Sequence, residues 1–435
     1  MSTTIIHGDC LEELKKLDDN SVDAVVTDPP YGLSNTKPQQ VADVLKAWVT
    51  GDAEAAPTTK GGFMNASWDS FVPPPAVWEE CMRVLKPGGH MAVFAGARTQ
   101  DLMGLSIRLA GFEIRDTLGW VYGSGMPKSH NISKAIDKAA GAEREVVGRR
   151  VRLGDSTDYP TRGDSMFAGS ETGNITAPAT SEAAKWDGWG TALKPAIEPI
   201  ILARKPLDGT VANNVLAHGV GGLNIDACRV PSDVPIPSHH GTSGAAGVTM
   251  GKYRDYVPGS ETAASVENVQ TAGRFPANVL LDEHAAKEMD KQSGYQKDGF
   301  HVARNRDHDA KMGGFDGGWK KDAKSGGYGS GGGASRFFPV FKYQAKAPKK
   351  ERPVIEREDG SKIQHPTVKP LALLEWLVEL ITPPGGVVLD PFAGSGTTLQ
   401  AAINKGFTPI GIEQDADYIK LIEKRLEATC TTHKN

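Results

Sequence analysis

"VVLDPFAGSGTT", residues 387–398, runs from a β-branched apolar stretch through an acid and a Gly-Ser-Gly turn toward the helical pattern "LQAAINKG". A strand that passes straight into small residues and a helix N-terminus lets backbone approach a nucleotide-like ligand closely. The following segment, "TPIGIEQDADYIKLIEKRL" at 408–426, reads as strand, acid, helix, and places Glu413 at its strand's end, where a carboxylate can accept hydrogen bonds from a ribose diol. A Gly-rich turn alone is as readily a plain tight turn; paired with Glu413 it points to an adenosine-containing cofactor. No Lys follows the glycines, which disfavours a Walker-type phosphate loop. Thr397-Thr398 follow Gly396, so the third Gly of the dinucleotide fingerprint is missing, and Phe392 stands beside the turn. A cofactor with little or no phosphate fits better than NAD.

The same rhythm opens the chain. "TTIIHGD" and "VDAVVTD" read as strands, "CLEELKKL" and "AVWEECMRVL" as helices, "HMAVFAG" as a strand after the Pro-Gly-Gly turn, and "LMGLSIRLAGF" then "EIRDTLGWVYG" as helix and strand. Such βαβ alternation predicts a parallel sheet covered by helices on both faces. The rhythm fails over 131–340, which contains "KSGGYGSGGGAS", a linker-like run, although "EPIILARKPL" at 198–207 is a candidate strand returning to the sheet. Regularity resumes with "RFFPVFKYQAKA" and with "HPTVKPLALLEWLVELI", a turn and then a helix with apolar Leu371, Leu374, Leu377, Val378 and Ile381 on one face. The expected division is 1–130, an inserted region at 131–340, and 341–435.

"VVTDPPYGLS" at 25–34 is the second informative strand end. Neither Pro29 nor Pro30 can donate to a ladder, so Asp28, the Pro29 carbonyl and Tyr31 are left at the strand's carboxyl edge. In open α/β sheets ligands bind at that edge.

Composition narrows the class less than these motifs do. The 435 residues exceed one ordinary domain, and the formal net charge of −4 argues against a globally basic nucleic-acid binder while leaving local patches open. Four scattered cysteines form no C-x-x-C pair, so neither structural zinc nor a disulfide framework is expected, and the histidines lack metal spacing. "MSTTIIHGDC" has no basic n-region, and no stretch is long and apolar enough for a span, which predicts a cytoplasmic protein with no membrane association.

Taken in order, "DPPYG" at 28–32, "HPTVKP" at 365–370 and "LDPFAGSGTT" at 389–398 resemble the DNA amino-methyltransferases that use S-adenosylmethionine, in the permuted beta group where the catalytic half precedes the cofactor half. "GDC" at 8–10 and "LKPGGHMAVF" at 85–94 fit the same family, and the middle region is similar to recognition regions of phage and prophage members. The resemblance implies a doubly wound, mostly parallel, Rossmann-like sheet of seven strands with an antiparallel hairpin at one edge, and a large inserted recognition region. It also implies double-stranded DNA as partner, with a cognate restriction endonuclease where the enzyme serves a restriction–modification pair.

Residue by residue, the resemblance implies that Asp28 and the Pro29 carbonyl accept hydrogen bonds from an exocyclic amine, with Pro30 stiffening the turn and Tyr31 stacking on a base flipped out of the duplex. It implies cofactor contacts from Asp390, Phe392, Gly394, Gly396 and Thr397, with Glu413 on the ribose hydroxyls and Asp9 near the adenine. Thr367 and Lys369 would lie beside the methionine moiety. Asp9 is equally well placed as the N-cap of the helix "LEELKKL". No metal is needed for transfer to an amine.

In this family Asp in the first motif leans toward adenine N6, and Ser toward cytosine N4. Other readings are a non-catalytic DNA-binding protein on the same fold, or a methyltransferase for RNA or a protein glutamine. For DNA contact the basic run from 301 to 352, including Arg304, Arg306, Lys320, Lys321 and Arg336, is the candidate, against a solvated basic face.

Overall fold

All six residues of β2 (Val22–Thr27) are buried, because strands flank it on both sides and helices cover both faces. Side chains alternate along it: Val25 joins one core with Trp78, Cys81, Met103 and Ile107, while Ala24 and Val26 join a second with Leu373, Leu377 and Val378. The computed structural model describes residues 3–57, 69–123, 125, 129–149, 174–232, 236–237, 270–271, 273–296, 331–341, 352–357 and 359–432.

The other strands of this sheet are β1 (Thr4–His7), β3 (Leu85–Phe94), β4 (Glu113–Val121), β5 (Ile197–Arg204), β6 (Val279–Asp282), β7 (Val340–Phe341), β8 (Val387–Asp390) and β9 (Thr408–Glu413). Their spatial order is β1-β9-β8-β2-β3-β5-β4-β6-β7, and every pairing is parallel except those of β5 with β3 and β4. The helices are α1 (Cys10–Leu14), α2 (Pro38–Val49), α3 (Pro75–Val84), α4 (Gln100–Leu109), α5 (Ile132–Ala139), α6 (Ser181–Lys185), α7 (Val211–His218), α8 (Glu283–Ser293), α9 (Leu371–Ile381), α10 (Thr397–Asn404) and α11 (Ala416–Thr432).

The mostly parallel α/β sheet is the expected class, with two differences. It has nine strands among the described residues rather than seven, and its antiparallel strand lies inside the sheet rather than at an edge. The reason is chain routing. β4 ends at Val121, and β5 begins with Ile197 paired to that same residue, so β5 must run back antiparallel. Residues 131–340 therefore do not form one insertion: β5, β6 and β7 belong to the sheet, and the contacts divide the chain into 1–123 with 197–435, and a smaller unit, 124–196.

That smaller unit holds α5, α6 and a ribbon of Val146–Arg149 against Asn174–Thr176. Its centre is polar: buried Asp137 accepts from the Arg144 guanidinium, the Thr180 hydroxyl and the amides of Ala179 and Thr180. In the larger unit α9 is apolar along most of its surface and buries Leu373, Leu374, Leu377, Val378, Leu380 and Ile381. Among the described residues no helix is long and apolar enough to cross a membrane.

Candidate active site

Parallel strands bring their carboxyl ends to one edge, so Asp28 after β2, Asp390 at the end of β8 and Glu413 at the end of β9 come together there. β5 runs the other way and delivers its first residues, Ile197 and Glu198, to the same edge, where the Ala95 amide after β3 donates to the Pro199 carbonyl.

The turn that follows β2 is held from several sides. The amides of Gly32 and Leu33 donate to the buried Asp69 carboxylate at 2.9 and 3.3 Å, and the Thr99 hydroxyl donates to the Tyr31 carbonyl at 2.6 Å. Gly32 has φ +67°, and a Cβ there would lie 2.7 Å from the Val72 backbone nitrogen, so the position admits only glycine without backbone movement. Neither Asp69 nor Thr99 carries a motif that flags it in the sequence.

Four side chains then close on one another. The Tyr31 hydroxyl donates to Asp28 Oδ1 at 2.8 Å, and Lys369 Nζ donates to the Tyr31 hydroxyl oxygen at 2.9 Å. Lys369 Nζ also lies 3.0 Å from Asp28 Oδ2 and 3.0 Å from Glu198 Oε2, with the Phe94 and Tyr31 ring centroids at 4.9 and 5.2 Å. Burial works against the Lys369 charge, but Asp28, Glu198 and Tyr31 outweigh it and hold its pKa well above the ordinary lysine value. Burial, reinforced by the Asp28 charge, pushes the Tyr31 phenol well above its usual range.

The cofactor-type turn lies on the neighbouring strand. Asp390 is buried and accepts from the Thr27 hydroxyl at 2.7 Å and the Phe392 amide at 3.1 Å; burial raises its pKa to about 6. Gly394 and Gly396 adopt φ of +53° and +75°, the latter as N-cap of α10, with Thr397 buried behind them. Glu413 accepts the amides of Gly394 at 2.8 Å and Asp415 at 2.9 Å, and burial raises its pKa to about 7. Phe392 packs against Trp78 with ring centroids 6.3 Å apart.

The remaining expected residues are placed as follows. Asp9 caps α1, accepting the amides of Leu11 and Glu12 at 3.0 and 3.3 Å. Within "HPTVKP", His365 Nδ1 is 2.6 Å from the Thr367 carbonyl, its ring packs edge-on against Tyr418, and its Nε2 lies 3.0 Å from where a Cβ on Gly394 would stand, so this end of the motif faces the glycine turn, while Lys369 reaches the Asp28 carboxylate. Arg336 binds the carbonyls of Gly332 and Gly333 at 2.6 and 2.7 Å and lies over the Phe337 ring. Arg304, Arg306, Lys320 and Lys321 lie outside the described residues. Glu198 was missed in the sequence; the strand pattern of "EPIILARKPL" marks its element, but nothing local marks its direction.

A family model, N6_N4_Mtase, described as DNA methylase, matches residues 22–150 and 269–424, taking in Asp28, Lys369, Asp390 and Glu413 and leaving out Glu198. Type II methyltransferase M.HindIII of Haemophilus influenzae is 22% identical over 98% of this chain and 96% of its own length. DNA adenine methyltransferase YhdJ of Escherichia coli is 51% identical over 63 residues, 14% of this chain and 21% of that protein. Among solved structures, the M1.HpyAVI–SAM complex aligns over 98% of this chain and 99% of that one with 16% identity and a TM-score of 0.38. The PvuII DNA methyltransferase, described as cytosine-N4-specific, aligns over 97% and 87% with 13% identity and a TM-score of 0.42.

Proposed function

The chain belongs to the N6/N4 DNA methylase family, and on that premise we propose that it is a site-specific DNA methyltransferase acting on the exocyclic N6 of adenine in a base turned out of the duplex. As a DNA methylase it uses S-adenosylmethionine, which when bound supplies a methyl group carried on a sulfonium.

The residues at the β8–α10 turn and the end of β9 suit that group. Two left-handed glycines leave no Cβ at positions 394 and 396, and Phe392 offers an apolar face beside the turn. Each Glu413 carboxylate oxygen takes one backbone amide and retains accepting capacity for a ribose hydroxyl. Asp390, Thr397, Thr367 and Asp9 complete the assigned cofactor contacts; Lys369, also expected beside the methionine moiety, is bound to Asp28 and Glu198.

An exocyclic amine is a poor nucleophile because its lone pair is delocalised into the ring. Asp28 and the Pro29 carbonyl accept its N–H groups and draw the nitrogen toward tetrahedral geometry. These bonds strengthen as the nitrogen gains positive charge, so they act mainly on the transition state. The Pro29-Pro30 pair and the Asp69 carboxylate hold the acceptors still, and Tyr31 stacks on the base. Site reading is assigned to residues within 131–340, and the enzyme acts in the cytoplasm, alone or beside a cognate restriction endonuclease.

The observation that carries this reading is the position of Asp28, directly after β2, the strand adjoining β8 and its glycine turn, and joined to β8 through Thr27 and Asp390. The test is incubation of purified protein with methyl-labelled S-adenosylmethionine and unmethylated genomic DNA, digestion to nucleosides and mass spectrometry. Labelled N6-methyladenosine is expected. N4-methylcytosine keeps the mechanism and overturns the base, and no label in DNA overturns the activity.

A further inference from the structure

Each Asp28 oxygen already holds one donor, the Tyr31 hydroxyl on Oδ1 and the Lys369 ammonium on Oδ2. That arrangement opposes the reaction assigned to it. Transfer makes the base nitrogen positive, and an ammonium on Asp28 both neutralises the carboxylate charge that should act on the amine and repels the charge that develops. Lys369 must therefore release Asp28 when the amine arrives. An ammonium buried to this degree, with 12% of its side chain exposed, gives up one anion only for another.

Glu198 is that second anion. Its Oε2 lies 3.0 Å from the same Nζ, and β5 brings it there only because it runs antiparallel. The Phe94 and Tyr31 rings flank Nζ and suit a cation in either position. Resting on the assignment of Asp28 above, we propose that Glu198 is a positioning residue that receives the Lys369 ammonium when the target amine displaces it from Asp28. Two carboxylates and one ammonium leave the cluster anionic during transfer; without Glu198 the remaining pair is neutral and Lys369 stays locked on Asp28.

The full-length protein is compared with its E198Q, K369M and E198Q/K369M variants in steady-state methyl transfer to DNA, with S-adenosylhomocysteine binding by calorimetry and thermal melting of each. E198Q is expected to lower kcat tenfold or more, with the KM for S-adenosylmethionine and the S-adenosylhomocysteine affinity within about twofold of wild type. The double variant is expected to be more active than E198Q, because with the ammonium gone Asp28 needs no second anion. A merely structural ion pair predicts the reverse, a double variant at least as impaired as either single one. Unchanged kcat in E198Q, or no recovery in the double variant, overturns the proposal. Should E198Q not fold, E198D is compared with E198N; equal kcat in those two overturns it as well. A D28A control that keeps its activity removes the Asp28 assignment and the proposal together, whereas an active wild type with an indifferent E198Q removes the proposal alone.

Discussion

Thr27 and Asp390 meet across adjacent strands: the threonine hydroxyl donates to a buried carboxylate at 2.7 Å, joining two positions 363 residues apart. One residue beyond Thr27 stands Asp28, and two beyond Asp390 the Phe392 amide shares the same carboxylate oxygen. Replacing Thr27 by Val keeps the shape and removes the donor. A loss of about 1–2 kcal/mol in denaturant unfolding is expected, with Ser costing less. Equal stability of the two variants would count against this bond as the tie between the strand ends.

Asp28→Ala is expected to lower methyl transfer by at least about 100-fold, the scale of removing an aimed electrostatic group from an active site. S-adenosylhomocysteine affinity measured by calorimetry should stay within about threefold, because the proposed cofactor contacts lie on segments other than the turn after β2. Parallel loss of both would place Asp28 in cofactor binding instead.

Asp69→Ala tests the support of the turn rather than the reacting group. It strands the Gly32 and Leu33 amides and is expected to cost about 2–3 kcal/mol of stability. In the folded variant, kcat is expected to fall about tenfold with the KM for S-adenosylmethionine nearly unchanged. A stability loss with full kcat would separate Asp69 from the catalytic turn.

Gly396 has φ +75°, and a Cβ there would meet Ile422 Cγ2 at 3.1 Å. Gly396→Val is therefore strained in the backbone and crowded against α11, costing about 1–3 kcal/mol. It is expected to weaken S-adenosylhomocysteine binding by more than tenfold. Unchanged affinity in a folded variant would move the cofactor away from this turn.

Glu413, raised to about 7 by burial, would give the proposed cofactor contact a pH dependence. Below that value the carboxyl is mostly protonated and the weaker acceptor, and above it the ionised form meets hydroxyl donors. S-adenosylhomocysteine affinity is expected to rise between about pH 6 and pH 8, by no more than about tenfold per pH unit, and to level off above. Glu413→Gln should flatten the profile and lower the affinity at pH 8. A profile that falls with rising pH would contradict the sign.

What local pattern can carry was legible in the chain. β8, its glycine turn and α10 follow from "VVLDPFAGSGTT" and the residues after it; β2 and its ending follow from valines and two prolines; α9 follows from its apolar periodicity. The acids at strand ends, Asp28 and Glu413, were legible because a strand's termination is a local event. Asp69 was not, since its task is to accept two amides 36 and 37 positions away, and an isolated Asp carries no record of them.

The sequence by itself determined the strand ends, the left-handed turns and the acids placed beside them, because these depend on φ preferences, missing donors and side-chain period within a few residues. Only the tertiary structure decided which ends are neighbours. The chain leaves β4 and returns through 124–196 to the same edge, so β5 runs antiparallel and sets Glu198 against Lys369, which in turn reaches Asp28. That meeting joins residues 28, 198 and 369 through strand order and direction, which packing of the whole sheet selects and no local stretch encodes.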